Sequence, residues 1–366
     1  MSQKYRRFYP QIYTFENLAR AARLARRGKR GRAEVCEFEY DLEHHLLEIR
    51  RKLRDETYTF APYRCFTIRE PKERLIHAAP FADRVVHHAL CNLIGPVLER
   101  AMIADSYACR TGKGAHLARD RAQHFLRGSP WVLKMDLRKY FFTIDHELLM
   151  NQIARKITDG QVLCLLRKLL ATYTSGNDYY LPFESDTECD RLRPRGLPIG
   201  NLTSQILANY YLTPFDRFVK EELKCRRYLR YMDDCLIYSA TKSDLAAVKK
   251  QATEYLADLR LKVHTQKSQI FPSSDGVNFL GFHLYPFYRR IRRANLIRFK
   301  NAWLIRQRQY RNSEIDFKKL LLSLNGWLGF GSHPDTNRLI NSILQQYRFT
   351  QPEAGSVGFT FYLPLG

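Results

Sequence analysis

Acid is in short supply in this chain. Of its 366 residues, 60 are lysine or arginine and only 37 are aspartate or glutamate, a formal net charge of +23. A field of that sign draws polyanions, so nucleic acid is the default partner. A membrane surface is the competing polyanion, yet no apolar run is long enough to span a bilayer. The start, Met1-Ser2-Gln3-Lys4-Tyr5-Arg6-Arg7, also lacks the apolar stretch of a signal peptide. The expectation is a cytoplasmic protein with no membrane partner. The 8 cysteines are scattered, with no Cys-x-x-Cys and no zinc-like Cys/His spacing, which leaves them as reduced thiols. His44-His45 and His87-His88 are adjacent pairs, and helical neighbours diverge by about 100°, so they are read as structural. No internal repeat or low-complexity tract is present. What is abundant is apolar material, 45% of the chain, enough for a large core and two or three subdomains.

Residues 1–59 read as helical and carry an acid-free cationic run, Arg20, Arg23, Arg26, Arg27, Lys29, Arg30 and Arg32. It is either a solvated face or a phosphate contact. From Ala61 the pattern is strand-like, then helical from about Asp83 to Arg100. A glycine-containing loop from Asp105 to His116 opens another helix. Trp131-Val132-Leu133-Lys134-Met135-Asp136 is a short apolar strand ending in a carboxylate. Residues 174–194 are a polar excursion without an assignment. Beyond it, Gly196 to Gly200 is extended, and Asn201 or Thr203 caps a helix expected to carry Leu202, Ile206, Tyr210, Phe215, Phe218 and Leu223 on one face. A helix from Ser243 to about Leu259 and a strand Val277–Phe282 follow. Strand, helix, hairpin, helix and strand make an α+β layer, helices on one face of an antiparallel sheet. From Phe287 the chain turns cationic and helical, with nine arginines and lysines from Arg289 to Arg311 interleaved with Trp303 and Tyr310, suited to gripping a duplex by its phosphates.

The chemistry concentrates at Tyr231-Met232-Asp233-Asp234, which reads as the tip of a β-hairpin between Arg227–Arg230 and Cys235–Ser239. Aspartate is common in solvated turns. Two adjacent carboxylates nonetheless repel unless something neutralises them. Phosphodiester formation needs two cations about 4 Å apart, one lowering the pKa of an attacking hydroxyl and one stabilising the leaving pyrophosphate. If the strands ending at Asp136 and Asp233 are neighbours, their carboxylates converge, and Asp234 completes the set. Mg²⁺ suits hard oxygen ligands and substrate phosphates, with Mn²⁺ a substitute.

An ordered set of motifs resembles the reverse transcriptases. It comprises Pro71-Lys72-Glu73-Arg74, Ser106 to Arg110 with Gly112 to His116, Lys134 to Phe141, the element around Gly200, the Asp-Asp turn, Lys267, and Phe279-Leu280-Gly281. The resemblance implies a right-hand polymerase fold with fingers, a palm of antiparallel sheet backed by helices, and a helical thumb. Its implied divisions are 1–59 as an N-terminal extension, 60–286 as fingers and palm, and 287–366 as thumb and tail. Asp136 and Asp233 would bind both metal ions, Asp234 would assist, and the Leu137 carbonyl would touch the second. Arg74 and Lys72 would clamp the triphosphate, as arginine's fork is apt for phosphate. Lys267 matches the family lysine proposed to protonate pyrophosphate, though a plain surface lysine has the same signature. Phe141 falls where the family places an aromatic gate against a ribose 2′-hydroxyl, favouring deoxynucleotides.

The element Ile199-Gly200-Asn201-Leu202-Thr203-Ser204-Gln205 resembles that of diversity-generating retroelements, where group II introns, retrons and retroviruses usually carry Gln-Gly-x-x-x-Ser-Pro. Ser323 to Gly329 agrees with that group. Such enzymes copy a template-repeat RNA, misincorporate opposite adenines, and yield cDNA that replaces a variable region of a target gene, the process of mutagenic retrohoming. Ile199, Gly200 and Gln205 would then line the nucleotide pocket, where a loosened fit costs discrimination. Implied partners are template RNA, the RNA/cDNA duplex, deoxynucleoside triphosphates and a small basic accessory protein forming a pentamer. No appended endonuclease, RNase H or maturase-like segment is evident. The alternatives are a retron-like, group II-like or abortive-infection reverse transcriptase, and a non-catalytic RNA-binding protein of polymerase shape.

Overall fold

The structure, a computed structural model, describes residues 5, 7–69 and 73–346. Lys72 and the tail from Gln351 lie outside the described residues. The chain divides into two compact units: Met1–Ala118 with Trp131–Ile270, and Arg119–Pro130 with Phe271–Gly366.

In the first unit, helices Phe15–Ala25, Ala33–Tyr40 and Leu42–Arg54 pack on the long helix Phe81–Ala101. That helix buries Phe81, Val85, Ala89 and Val97 along with Val86, Leu90, Ile94 and Leu98, two adjacent rows at helical spacing. Its Asp83, though buried, accepts hydrogen bonds from the Tyr58 hydroxyl at 2.7 Å and the Ala61 amide at 2.9 Å. Asp159 caps the helix Gly160–Ala171 and also accepts from the Phe8 and Tyr9 amides, tying the start of the chain to that helix. The unit also carries a hairpin, β1 (Arg64–Ile68) and β2 (Arg74–Ala78), with Ile68 opposite Arg74 and β1 exposed along its length.

The palm sheet is formed by β3 (Trp131–Asp136), β4 (Tyr228–Tyr231), β5 (Asp234–Ser239) and β6 (Gln269–Pro272), in the spatial order β4-β5-β3-β6. Cys235, Leu236, Ile237 and Tyr238 are all buried, so both faces of β5 are covered at its middle. The helix Lys242–Asp258, capped by Thr241, packs on β3 and β5.

The second unit combines a three-stranded meander, β7 (Val277–Phe279), β8 (Phe282–Leu284) and β9 (Arg289–Ile291), with helices Arg293–Arg311, Phe317–Gly331 and Asn337–Gln346. Its helical core is Phe299, Trp303, Leu320, Leu324 and Ile343, with Trp327 stacked on Phe299 at 3.7 Å. The buried Arg119 guanidinium lies 4.2 Å from the Phe282 ring centroid, inside cation–π range.

Two elements depart from the sequence reading. The helix expected through Leu223 is broken at Leu212 into Leu202–Tyr211, Thr213–Arg217 and a π-helical turn Phe218–Glu222, because Pro214 has no amide to continue the ladder. The face it buries most completely is Leu207, Ala208 and Tyr211 rather than Leu202 and Ile206, which are half-buried. The strand expected over Val277–Phe282 is a hairpin, folded back at Leu280 (φ 44°) and Gly281 (φ 86°) so that Phe279 pairs with Phe282. The Asn201 side chain also makes no cap bond, and instead donates to the His77 carbonyl at 2.9 Å. Among the described residues no helix is long and apolar enough to cross a membrane.

Candidate active site at the aspartate turn

The antiparallel register sets the site. β3 ends at Asp136 and β5 begins at Asp234, directly across from it, while Tyr231 of β4 faces Asp234 from the other side. The two-residue connection Met232-Asp233 closes the hairpin, with Met232 in the left-handed region at φ 56°. Three carboxylates therefore occupy one end of one sheet. Residues directly opposite on antiparallel strands have Cβ atoms about 5 Å apart, and like charges there are destabilising.

Two lysines relieve part of that charge. Lys134, two residues before Asp136 on the same face, reaches diagonally to Asp234 with Nζ 3.1 Å from Oδ1. Lys267, half-exposed, places Nζ 3.0 Å from Asp136 Oδ2. The backbone of Asp136 is pinned as well, its amide donating to Ser268 Oγ at 3.1 Å and its carbonyl accepting from His264 at 2.7 Å. The relief is incomplete. Burial, followed by the charges of Asp234 and Asp136, pushes the Asp233 carboxyl up to about 6, against an opposing contribution from Arg74. Asp234 is also raised, chiefly by burial, with Lys134 opposing.

Around this end lie the other candidate residues. Arg74 opens β2 and is exposed, and its charge is felt at Asp233. β2 is joined to the segment containing Ile199 by the His77 amide donating to the Ile199 carbonyl at 2.9 Å. Gly200 has φ 121°, and a Cβ there would lie 2.8 Å from Ile76 Cγ2, so the contact with β2 requires glycine. Phe141, half-buried in the short helix Tyr140–Thr143, accepts from the Leu197 amide at 2.7 Å through its carbonyl, drawing residues 197–200 beside it. Gln205, in the first turn of the helix Leu202–Tyr211, is exposed, and the Cys109 thiol sits 3.6 Å from its Oε1. Leu137 is buried and bridged to Val263, so only its backbone is available to a ligand.

The excursion at residues 174–194 is anchored to this unit. Tyr179 stacks on Phe142 at 4.1 Å, Lys139 Nζ donates to the Asp178 carbonyl at 2.7 Å, and Asp186 pairs with Arg260 at 2.6 Å.

Sequence reasoning missed Lys134 as a partner of Asp234 and missed the support beneath the turn, a buried ion pair of Arg230 and Asp216 at 2.6 Å. Lys134 was legible in principle, since period-2 alternation puts it on the face of Asp136.

Among the described residues no group of three or more His, Cys, Asp or Glu is arranged to hold a metal ion. The donors are nonetheless all hard oxygens, and burial, then the neighbouring carboxylates, raises the Asp233 carboxyl despite the charge of Arg74. The site therefore fits a cation such as Mg²⁺ in chemistry, with carboxylates to be drawn inward on binding.

The profile of one family, described as reverse transcriptase (RNA-dependent DNA polymerase), matches residues 68–284, a stretch that contains β2, the palm sheet and all three aspartates. The chain belongs to the reverse transcriptase family, with its α+β right-hand polymerase fold of fingers, palm and thumb. It is 28% identical over 241 residues to Protein YkfC of Escherichia coli, covering 55% of this chain and 60% of that one. It is 23% identical over 323 residues to the group II intron-encoded protein LtrA of Lactococcus lactis subsp. cremoris, covering 70% of this chain and 51% of LtrA. Among solved structures it is similar to an apo telomerase from Candida tropicalis, at 14% identity and a TM-score of 0.43, covering 64% of this chain and 55% of that one. The chain thus spans only about half to three fifths of the length of these proteins.

Proposed function

We propose that this chain is an RNA-directed DNA polymerase that extends cDNA by two-metal nucleotidyl transfer. The observation that carries the reading is the convergence of three carboxylates at one end of the palm sheet, inside the segment that matches the reverse transcriptase family. Asp136, Asp233 and Asp234, with the backbone carbonyl of Leu137, would hold two Mg²⁺ ions, or Mn²⁺ in their place. Ions so held lower the pKa of the primer 3′-hydroxyl and stabilise the leaving pyrophosphate. Arg74, together with Lys72, clamps the triphosphate. Lys267, paired with Asp136 at 3.0 Å, would give a proton to the pyrophosphate. Phe141 packs against the sugar and disfavours a 2′-hydroxyl. Residues 60–286 supply fingers and palm, residues 287–366 a basic thumb on the duplex, and residues 1–59 an extension with a cationic surface.

Within the family, the reading is a reverse transcriptase of a diversity-generating retroelement, error-prone at template adenines and working in the cytoplasm with a small basic pentameric accessory protein. Ile199 and Gln205 support it, as the two residues in which the element around Gly200 departs from the commoner Gln-Gly-x-x-x-Ser-Pro. A group II-like enzyme is the second reading, favoured by the similarity to LtrA. A primed RNA containing all four bases, extended with deoxynucleotides and sequenced, separates them. The first reading predicts errors concentrated at adenines, the second an even spread, and absence of synthesis in Mg²⁺ overturns both.

A further inference from the structure

Arg230 immediately precedes the aspartate turn, and its side chain is fully buried together with that of Asp216. A guanidinium has five N–H donors. Here each has an acceptor of its own. Nε and Nη2 grip the two Asp216 oxygens at 2.7 and 2.6 Å, and Nη2 also donates to the Asn209 carbonyl at 3.0 Å. Nη1 donates to Asn209 Oδ1 at 2.9 Å and to the carbonyl of Met232 at 2.9 Å. Tyr228 completes the arrangement by donating to Asp216 Oδ1 at 2.6 Å.

Three segments meet on this one side chain. Met232 is a turn residue in the left-handed region, a conformation that costs a non-glycine residue energy and needs outside support. Asn209 lies on the helix whose first turn carries Gln205, and its Nδ2 donates to the carbonyl of Ala108 at 2.8 Å, next to Cys109. The main chain of Arg230 pairs with the same loop, its amide donating to Asp105 and its carbonyl accepting from Tyr107. A buried ion pair is weak evidence of net stability, because hydrophobic residues of similar volume often serve as well, whereas it is a strong geometric constraint.

We propose that Arg230 is a positioning residue for catalysis: its fork, oriented by Asp216 and Asn209, holds the Met232 carbonyl and so fixes the backbone of Asp233 relative to Asp136 and to the Gln205 helix. This rests on the polymerase reading above. Lysine keeps the charge of Arg230 but loses the fork, so the Met232 and Asp216 contacts cannot both be kept. A misplacement of the order of 1 Å at a reacting centre costs roughly 100-fold in rate.

The test uses the full chain, with Arg230→Lys and, in case that variant does not fold, the pair Arg230→Met with Asp216→Leu, which removes both buried charges at once. Folding is checked by circular dichroism and melting. In a folded variant, kcat on primed RNA should fall about 100-fold, while KM for deoxynucleotide stays within about threefold of wild type. The Mg²⁺-induced rise in melting temperature should be reduced by at least about half, as the carboxylates lose their register. Adding Met232→Gly, which takes the left-handed conformation unaided, should return about tenfold of the lost rate relative to Met232→Gly alone. A folded variant with wild-type kcat and wild-type Mg²⁺ response overturns the proposal. If wild type itself incorporates nothing, the polymerase reading fails, and the Mg²⁺ response alone then decides whether Arg230 sets the turn.

Discussion

The palm withdraws two sets of carboxylates from water and treats them in opposite ways. Asp216 has no exposure at all, yet both of its oxygens are taken by Arg230 and one also by Tyr228. Asp233, less deeply buried and at the far side of the same short stretch of chain, meets two further carboxylates and only partial relief from cations. A carboxylate kept for architecture is matched donor for acceptor, as the cost of leaving a buried charge unpaired demands. One left short of partners is a place where something else is meant to bind. The difference separates a fully paired acid from the one proposed to hold a ligand, in a chain with 37 acidic residues.

The comparison is broken most severely by unpairing the matched site. Asp216→Ala strands the Arg230 guanidinium, and a loss of about 3–5 kcal/mol in unfolding free energy is expected by denaturant titration. Next, Gly200→Val forces a branched side chain into a φ of 121° and onto Ile76, with an expected loss of about 2–4 kcal/mol. A smaller effect of opposite sign marks the unmatched site. The Asp233 carboxyl titrates near 6 in the folded chain against 3.8 ordinarily, so its ionisation opposes folding. That cost is absent below about pH 4, grows between 4 and 6, and is complete above 6. Asp233→Asn, without divalent cations, should therefore be more stable than wild type by of the order of 1 kcal/mol at pH 7.5 and equal to it at pH 4. Smallest of all, Lys267→Ala should cost under about 1 kcal/mol, since its pair with Asp136 is half-exposed.

Much of this was legible before the structure. The apolar strand ending in Asp136 and the hairpin at Asp233 follow from local pattern, whereas their pairing was only a condition in the sequence and its register is set by the structure. Arg230 and Asp216 were not. In a chain so rich in arginine, one more beside a turn carries no mark, and Asp216 on a helix reads as solvated. Their pairing depends on a helix and a strand meeting, which no local period encodes. Met232 and Leu280 hid for another reason. Both take positive φ without being glycine or asparagine, so their own conformations carry no composition signal, and the strand through Leu280 was read straight on despite the neighbouring Gly281. The break at Leu212 was the opposite case, where Pro214 was visible and the apolar spacing outweighed it.

The proposed two-metal chemistry requires the carboxylates of the aspartate turn to bind a divalent cation. Melting wild type and Asp233→Asn with and without Mg²⁺, at pH 5 and pH 7.5, tests it without reference to catalysis. At pH 5 a cation must displace the proton on Asp233, and at pH 7.5 it need not. Mg²⁺ should therefore raise the wild-type melting temperature more at pH 7.5 than at pH 5, and Asp233→Asn should lose most of that gain. An Mg²⁺ response that is absent from wild type, or that survives unchanged in Asp233→Asn at both pH values, would contradict it.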